Sequence, residues 1–110
     1  MKNIYDTTSI ISEIESNNKK NNESYFLDFL NTNSLDAGIL VLKPGQKDIQ
    51  QPHFNDEIYY IIEGNGFIEI NKEVYAIQKG SCIFVPSNTS HRFFGNTIRI
   101  VTIYIFEKNI

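Results

Sequence analysis

Seven short runs rich in Ile, Val, Tyr and Phe fill the chain from Tyr25 onward: 25–30, 37–42, 57–63, 67–71, 74–78, 82–85 and 98–106. Turn signals separate them at Pro44-Gly45, Gly64-Asn65-Gly66, Asn71-Lys72, Lys79-Gly80, Pro86 to Asn88 and Gly95-Asn96. Runs this short, rich in β-branched and aromatic residues and regularly punctuated, form strands rather than helices. They predict an all-β fold, a small antiparallel β-barrel or sandwich. FIEIN and VTIYIF alternate at period two, the pattern of half-buried strands. EIYYIIE (57–63) is apolar nearly throughout, which predicts a strand covered on both faces. Asn65-Gly66 reads as a hairpin turn.

The first 24 residues follow another grammar. Asp6, Thr7 and Thr8 offer N-cap side chains. Ile10, Ile11 and Ile14 then fall on one helical face, predicting a short helix from about Thr8 to Glu15. The polar stretch SNNKKNNES, Ser16 to Ser24, has nothing to bury and reads as a linker. The organisation expected is therefore a helix and linker over 1–24 and one barrel domain over 25–110.

Composition removes several function classes. With 41% apolar and 13% aromatic residues, the chain of 110 residues builds a core. A net charge of -3 without a basic stripe argues against nucleic acid as a partner. A single cysteine, Cys82, excludes an intrachain disulfide and reads as a small core residue. No apolar run reaches membrane-span length, and the first residues lack a signal-like apolar segment, so a cytoplasmic protein is expected. No GxSxG, phosphate-binding glycine loop or CxxC is present.

The chemistry gathers around the two histidines. In QPHFNDEIYYIIEGNG, residues 51–66, His53 precedes Glu57 by four. If this segment is extended, Gln51, His53 and Glu57 share one face. His91 stands in VPSNTSHRFF. Two imidazoles and a carboxylate are a ligand set for a divalent metal with open positions, Fe(II) or catalytic Zn included. A metal would also explain a carboxylate at the mouth of an apolar strand, where an unpaired charge is costly. The competing reading is an ordinary surface histidine and a solvated glutamate, and spacing alone does not join His91 to the others. Tyr59 and Ile61 share the parity of Glu57, and Phe93 that of His91. All three are candidates for lining the interior, either as packing or as substrate contacts. Arg92 points the opposite way, to the surface.

The wording of these segments resembles the cupin family, specifically its small single-domain, RmlC-like members. The family's first motif has a glycine, five residues, His, one residue, His, three or four residues, Glu, six residues and a glycine. Here Gly45, Gln51, His53, Glu57 and Gly64 occupy those places. Its second motif runs from a glycine through a proline and a glycine to a His and an Asn. Here Gly80, Pro86, Asn88 and His91 match, with Gly95 at the last position. The resemblance covers roughly residues 40–105. It implies a jelly-roll barrel with one divalent metal ion (Fe, Mn, Ni or Zn) held by His53, Glu57 and His91. Gln51 replaces the first histidine of the motif, as a weaker fourth ligand or none. Asn88 replaces a glycine and tolerates a positive φ.

Three functions follow as expectations. The first is a metal-dependent dioxygenase- or isomerase-like enzyme acting on a small molecule, with Glu57 available as a base if it leaves the metal. The second is a non-catalytic ligand-binding or sensing barrel. The third is a degenerate cupin that has lost its metal. A homodimer is expected, because the apolar run IRIVTIYIF would need cover at an exposed sheet edge.

Overall fold

The computed structural model describes residues 2–22, 24–50, 52 and 54–108. One helix, α1 (Thr7–Lys20), precedes eight strands: β1 (Phe26–Asn31), β2 (Leu35–Leu42), β3 (Glu57–Glu63), β4 (Asn65–Ile70), β5 (Glu73–Gln78), β6 (Cys82–Val85), β7 (His91–Phe94) and β8 (Ile100–Glu107). They form two antiparallel sheets, β1-β2-β8-β3-β6 and β5-β4-β7. This is the antiparallel all-β fold that the strand runs predict, in the jelly-roll form that the cupin resemblance implies, with the short N-terminal helix expected from the first residues.

The facing surfaces of the two sheets enclose the main core. Tyr25, Leu40, Leu42, Tyr59, Ile61, Ile83, Val85, Ile100 and Tyr104 meet Ile68, Ile77 and Phe93 there. A second cluster lies on the outer face of the larger sheet. Ile14 of α1 packs on Ile39, Val41 and Val101, with Ile10 and Ile11 alongside. Full burial of one such isoleucine contributes about 1.5–3 kcal/mol. This explains why a helix of low intrinsic apolarity holds its place.

The helix is longer than its apolar face suggests. The Asp6 side chain caps its N-terminus at Thr8 N–H, and it runs on to Lys20 rather than stopping near Glu15. Residues 16–20, which read as linker, form its last turns. Asn18 is buried and donates to the Ser24 carbonyl. Lys19 and Lys20 sit where a helix C-terminus favours positive charge. Arg99 clamps the helix to the sheet, reaching Glu15 at 2.6 Å and Glu63 through two bonds of 3.0 and 3.1 Å. Those long-range partners are not visible in local sequence.

Four other expectations are corrected. β3 is covered on one face only at its start: Ile58 and Tyr60 are exposed while Glu57, Tyr59 and Ile61 are buried. Asn65-Gly66 does not turn a hairpin. The chain passes from one sheet to the other at Gly64, whose φ is +98° and where a Cβ would collide with the Arg99 carbonyl. The 98–106 run begins as a strand only at Ile100, and β8 is no edge: it pairs with both β2 and β3. Cys82 is exposed on β6, not a core residue. His91–Phe94 is a strand that the periodic runs did not include. The true hairpin turn lies at Asn71 and Lys72, with φ of 50° and 72°. No helix among the described residues is long and apolar enough to cross a membrane.

Candidate functional site

Glu57 opens β3 and His91 opens β7, one in each sheet, so the jelly roll itself brings the two motifs together. Val85 and Phe106 flank Glu57 in register, and Ile70 lies opposite His91. The turn before β7 is set by Asn88, which takes a φ of 59° in place of the usual glycine. His91 Nε2 approaches Glu57 Oε1 at 3.3 Å, and both side chains are almost fully buried.

The other ring nitrogen fixes the tautomer. His91 Nδ1 lies 2.9 Å from the Thr89 carbonyl, which can only accept, so Nδ1 carries a proton. Nε2 is left facing the Glu57 carboxylate with a lone pair, unless a cation or a second proton lies between them. Two electron-rich groups at this separation call for positive charge. A proton meets that need, and so does a metal ion bound by a neutral imidazole whose far N–H is held by a carbonyl. Burial alone would lower the His91 pKa. The Glu57 hydrogen bond, the Thr89 carbonyl and the charges of Glu57 and Asp48 outweigh it, and the net shift is upward.

A polar relay extends from this pair. Tyr59 O–H stands 3.1 Å from His91 Nε2 and donates to Gln50 Oε1 at 2.8 Å. Gln50 Nε2 in turn donates to Asp48 Oδ2 at 2.9 Å, which orients its amide. Asp48 is buried and also accepts from Tyr25 O–H at 2.9 Å and from Phe93 N–H at 2.8 Å. It ties the loop between β2 and β3 to β7, two residues beyond His91. Burial raises the Tyr59 pKa well above its ordinary value, aided by the charges of Glu57 and Asp48, so Tyr59 stays protonated. Its ring also packs edge-on against Phe93 at 5.0 Å.

Of the residues singled out by sequence, Glu57, His91 and Tyr59 converge at one end of the interior. Ile61 and Phe93 are buried in the core deeper in. His53 and Gln51 lie outside the described residues. Among the described residues no group of three or more His, Cys, Asp or Glu side chains is placed to hold a metal ion. Phe54 and Asn55 form a bend and β3 begins at Glu57, so the described residues carry the strand parity from Glu57 on. Arg92 is exposed, paired with Glu69 and stacked 4.5 Å above the Phe94 ring. Asp48 and Gln50 were missed because a loop has no periodicity from which to read which side chains turn inward. A cleft of about 530 Å³ opens between the sheets, with Ile68, Ile70, Tyr75, Ile77 and Ile83 in its wall. Ile70, the cross-strand neighbour of His91, links that cleft to the site.

Comparison with known proteins agrees with this architecture. An uncharacterised protein of Streptomyces coelicolor is 28% identical over 96 residues, covering 86% of this chain and 90% of its own. An RmlC-like cupin from Shewanella frigidimarina superposes with a TM-score of 0.68 at 17% identity, over 76% of this chain and 75% of that one. The DMSP lyase DddQ from Ruegeria pomeroyi superposes at 0.71 with 16% identity, over 77% of this chain and about half (47%) of the lyase. The cupin-domain family model matches residues 38–104, and with both of its motifs meeting at Glu57 and His91, the chain belongs to the cupin family.

Proposed function

We propose that this cupin binds one divalent metal ion through His53, Glu57 and His91 and acts as a metal-dependent enzyme on a small molecule. The reading rests above all on the buried Glu57–His91 pair, where the Nδ1–Thr89 bond turns Nε2 toward the Glu57 carboxylate. The donor set suits Fe, Mn, Ni or Zn, with Gln51 in place of a third imidazole. Once bound, such an ion supplies Lewis-acid or redox chemistry at its open positions. The chain's own residues do the rest. Glu57 and His91 fix the centre at the end of the interior. Tyr59 keeps its proton, and its hydroxyl stands beside the centre, 3.1 Å from His91 Nε2. Gln50 and Asp48 hold Tyr59 and the motif-bearing loop in place. The apolar cleft beyond Ile70 suits a ligand that is small and partly apolar, with a polar head able to reach the metal. The folds shared with the lyase and the RmlC-like cupin do not select a reaction; dioxygenase- and isomerase-like chemistry both fit a metal with open positions.

The test is the metal content of purified wild type beside the His53→Ala/His91→Ala double variant. About one ion per chain in wild type, absent from a variant that still folds, is the expected result. A wild type that takes up none of Fe, Mn, Ni or Zn sinks the proposal. A loaded protein that binds small ligands without turning any over keeps the metal and removes the enzyme.

A further inference from the structure

Two irregularities in the larger sheet meet at one point. Gly38 interrupts β2 in the middle of LDAGILVL, where a glycine weakens a strand because it has no side chain to pack. In β1 the register shifts between Asp28 and Leu30, the mark of a bulge, which re-aims the side chains beside it. Gly38 is the ladder partner of Asp28 on one side and of Tyr104 on the other. A Cβ on Gly38 would collide with the Tyr104 hydroxyl and with the Leu27 carbonyl. Without that obstacle the Tyr104 phenol passes over β2 and donates to Asp28 Oδ1 on the edge strand β1. Both departures from regular strand geometry thus serve one hydrogen bond.

That bond lies in line with the candidate metal site. Asp28, Gly38, Tyr104 and Tyr59 form one cross-strand row, and the Tyr59 hydroxyl stands 3.1 Å from His91 Nε2. Phe106, stacked 6.1 Å from the Tyr104 ring, is the ladder partner of Glu57. Tyr104 is buried, whereas Asp28 is exposed at the far end of the row. Burial first, then the Asp28 bond and the charges of Asp28, Glu57 and Asp36, hold the Tyr104 pKa well above its ordinary value, so the phenol keeps its proton. The nearby Asp36 has a cation of its own, Lys108 at 3.2 Å. Among the described residues no Lys, Arg or His forms an ion pair with Asp28.

We propose that Asp28 and Tyr104 select the substrate of this site: a small molecule whose head reaches the metal and whose far end carries an ammonium group, met by the Asp28 carboxylate. This rests on the metal reading above. Tyr104 is the positioning residue. Its bond holds the carboxylate at the end of the row and occupies Oδ1, leaving Oδ2 to accept from the ligand. A plain tether does not account for the arrangement. β1 is already laddered to β2 from Phe26 to Asn31, and a carboxylate needed only to satisfy a buried phenol would not have to stand in solvent without a cation. The centre is thus flanked by two unlike walls, apolar on the Ile70 side and anionic on the β1 side. A ligand ending in a carboxylate finds a partner on neither.

The probes are alkyl hydroxamates of equal length ending in ammonium, methyl or carboxylate, titrated by calorimetry at neutral pH into the metal-loaded protein. The hydroxamate binds the ion, and the other end reports on the wall. The ammonium-ended probe should bind about tenfold more tightly than the methyl-ended one, since a hydrogen bond between charged groups is among the strong ones. The carboxylate-ended probe should bind most weakly. Asp28→Asn, which keeps an acceptor for the Tyr104 hydroxyl, should abolish the preference for ammonium while metal content and circular dichroism stay as in wild type. Tyr104→Phe should weaken the preference, again with the metal retained. Equal affinity for the three probes, or an ammonium preference that survives Asp28→Asn, overturns the recognition pair and leaves the metal site standing. A protein that takes up no metal overturns both. If the variants fail to fold, the ranking of the three probes on wild type decides alone.

Discussion

The two ends of the barrel interior are built from opposite materials. At one end Leu42, Ile61 and Ile100 meet, all fully buried, in apolar packing closed by the buried Asn96 amide, which donates to the Leu42 carbonyl. At the other, where β3 and β7 begin, the buried groups are Glu57, His91, Tyr59 and Asp48. The first end is held by area removed from water and tolerates no void. The second is held by a hydrogen-bond network in which groups such as Asp48 serve several partners, so losing one group disturbs the others. One fold thus separates the region that supplies stability from the region that carries chemistry, and substitutions should divide along the same line.

Ile61→Ala should show the largest effect on folding. Removing the side chain from the closed end costs about 2–5 kcal/mol through lost transfer energy and the cavity left behind. Urea unfolding measures it, and the folded fraction should bind as much metal as wild type. A variant that loses metal while remaining folded would mean that the two ends are not separable. Asp48→Ala is the converse. It strips a charged acceptor from Phe93 N–H, Tyr25 O–H and Gln50 at once. We expect about 2–3 kcal/mol of destabilisation, and, because Asp48 positions the loop and β7 around the ligands, metal affinity lower by about 10–100-fold. Unchanged affinity in a destabilised variant would reduce Asp48 to a purely structural role.

The same contrast explains what was legible in the sequence. The apolar end announces itself, because alternation in strands is a direct imprint of which side chains face inward. Tyr59, Ile61 and Phe93 were assigned to the interior on parity alone, and β3 and β6 were bounded at Glu57–Glu63 and Cys82–Val85. Glu57 and His91 were named by their residue types and by the cupin motifs; their meeting at 3.3 Å is a consequence of the sheets, not of spacing. Asp48 and Gln50 act from a loop, where no period marks an inward side chain. β7 is only four residues long and carries His and Arg, so it lacked the apolar run by which the other strands were found. α1 is tied down by Arg99, distant in sequence, through Glu15, and its last turns by a buried Asn18 that no propensity scale favours.

Tyr59→Phe probes the link between the ends, since its ring belongs to the core and its hydroxyl to the site. The ring contacts with Phe93 and Tyr104 survive the change. The hydroxyl's bonds to Gln50, His91 and Glu57 are lost, which should cost about 1 kcal/mol in thermal or urea unfolding. Metal should still bind, and any activity should fall through kcat rather than through metal occupancy. Loss of the metal itself would move Tyr59 from donor to structural support of the ligands.

The smallest effect, and the most diagnostic, is the response to pH. In metal-free protein His91 has a folded-state pKa above its ordinary value of 6.5, because Glu57, the Thr89 carbonyl and Asp48 together outweigh burial. Its protonated form is therefore favoured by folding. That contribution is fully present below about pH 6.5 and is lost as pH rises through the higher folded-state value. Metal binding carries the opposite sign, because Nε2 must shed its proton to become a ligand, so affinity climbs with pH over the same window. Unfolding midpoints followed upward from pH 6 should thus show the His91 contribution declining without metal, while the increment given by added metal grows. His91→Gln should flatten both trends. If the metal-free protein instead gains stability through that window in a His91-dependent way, the buried pair is not sharing a proton, and the charge between Glu57 and His91 must be met by something other than the imidazolium.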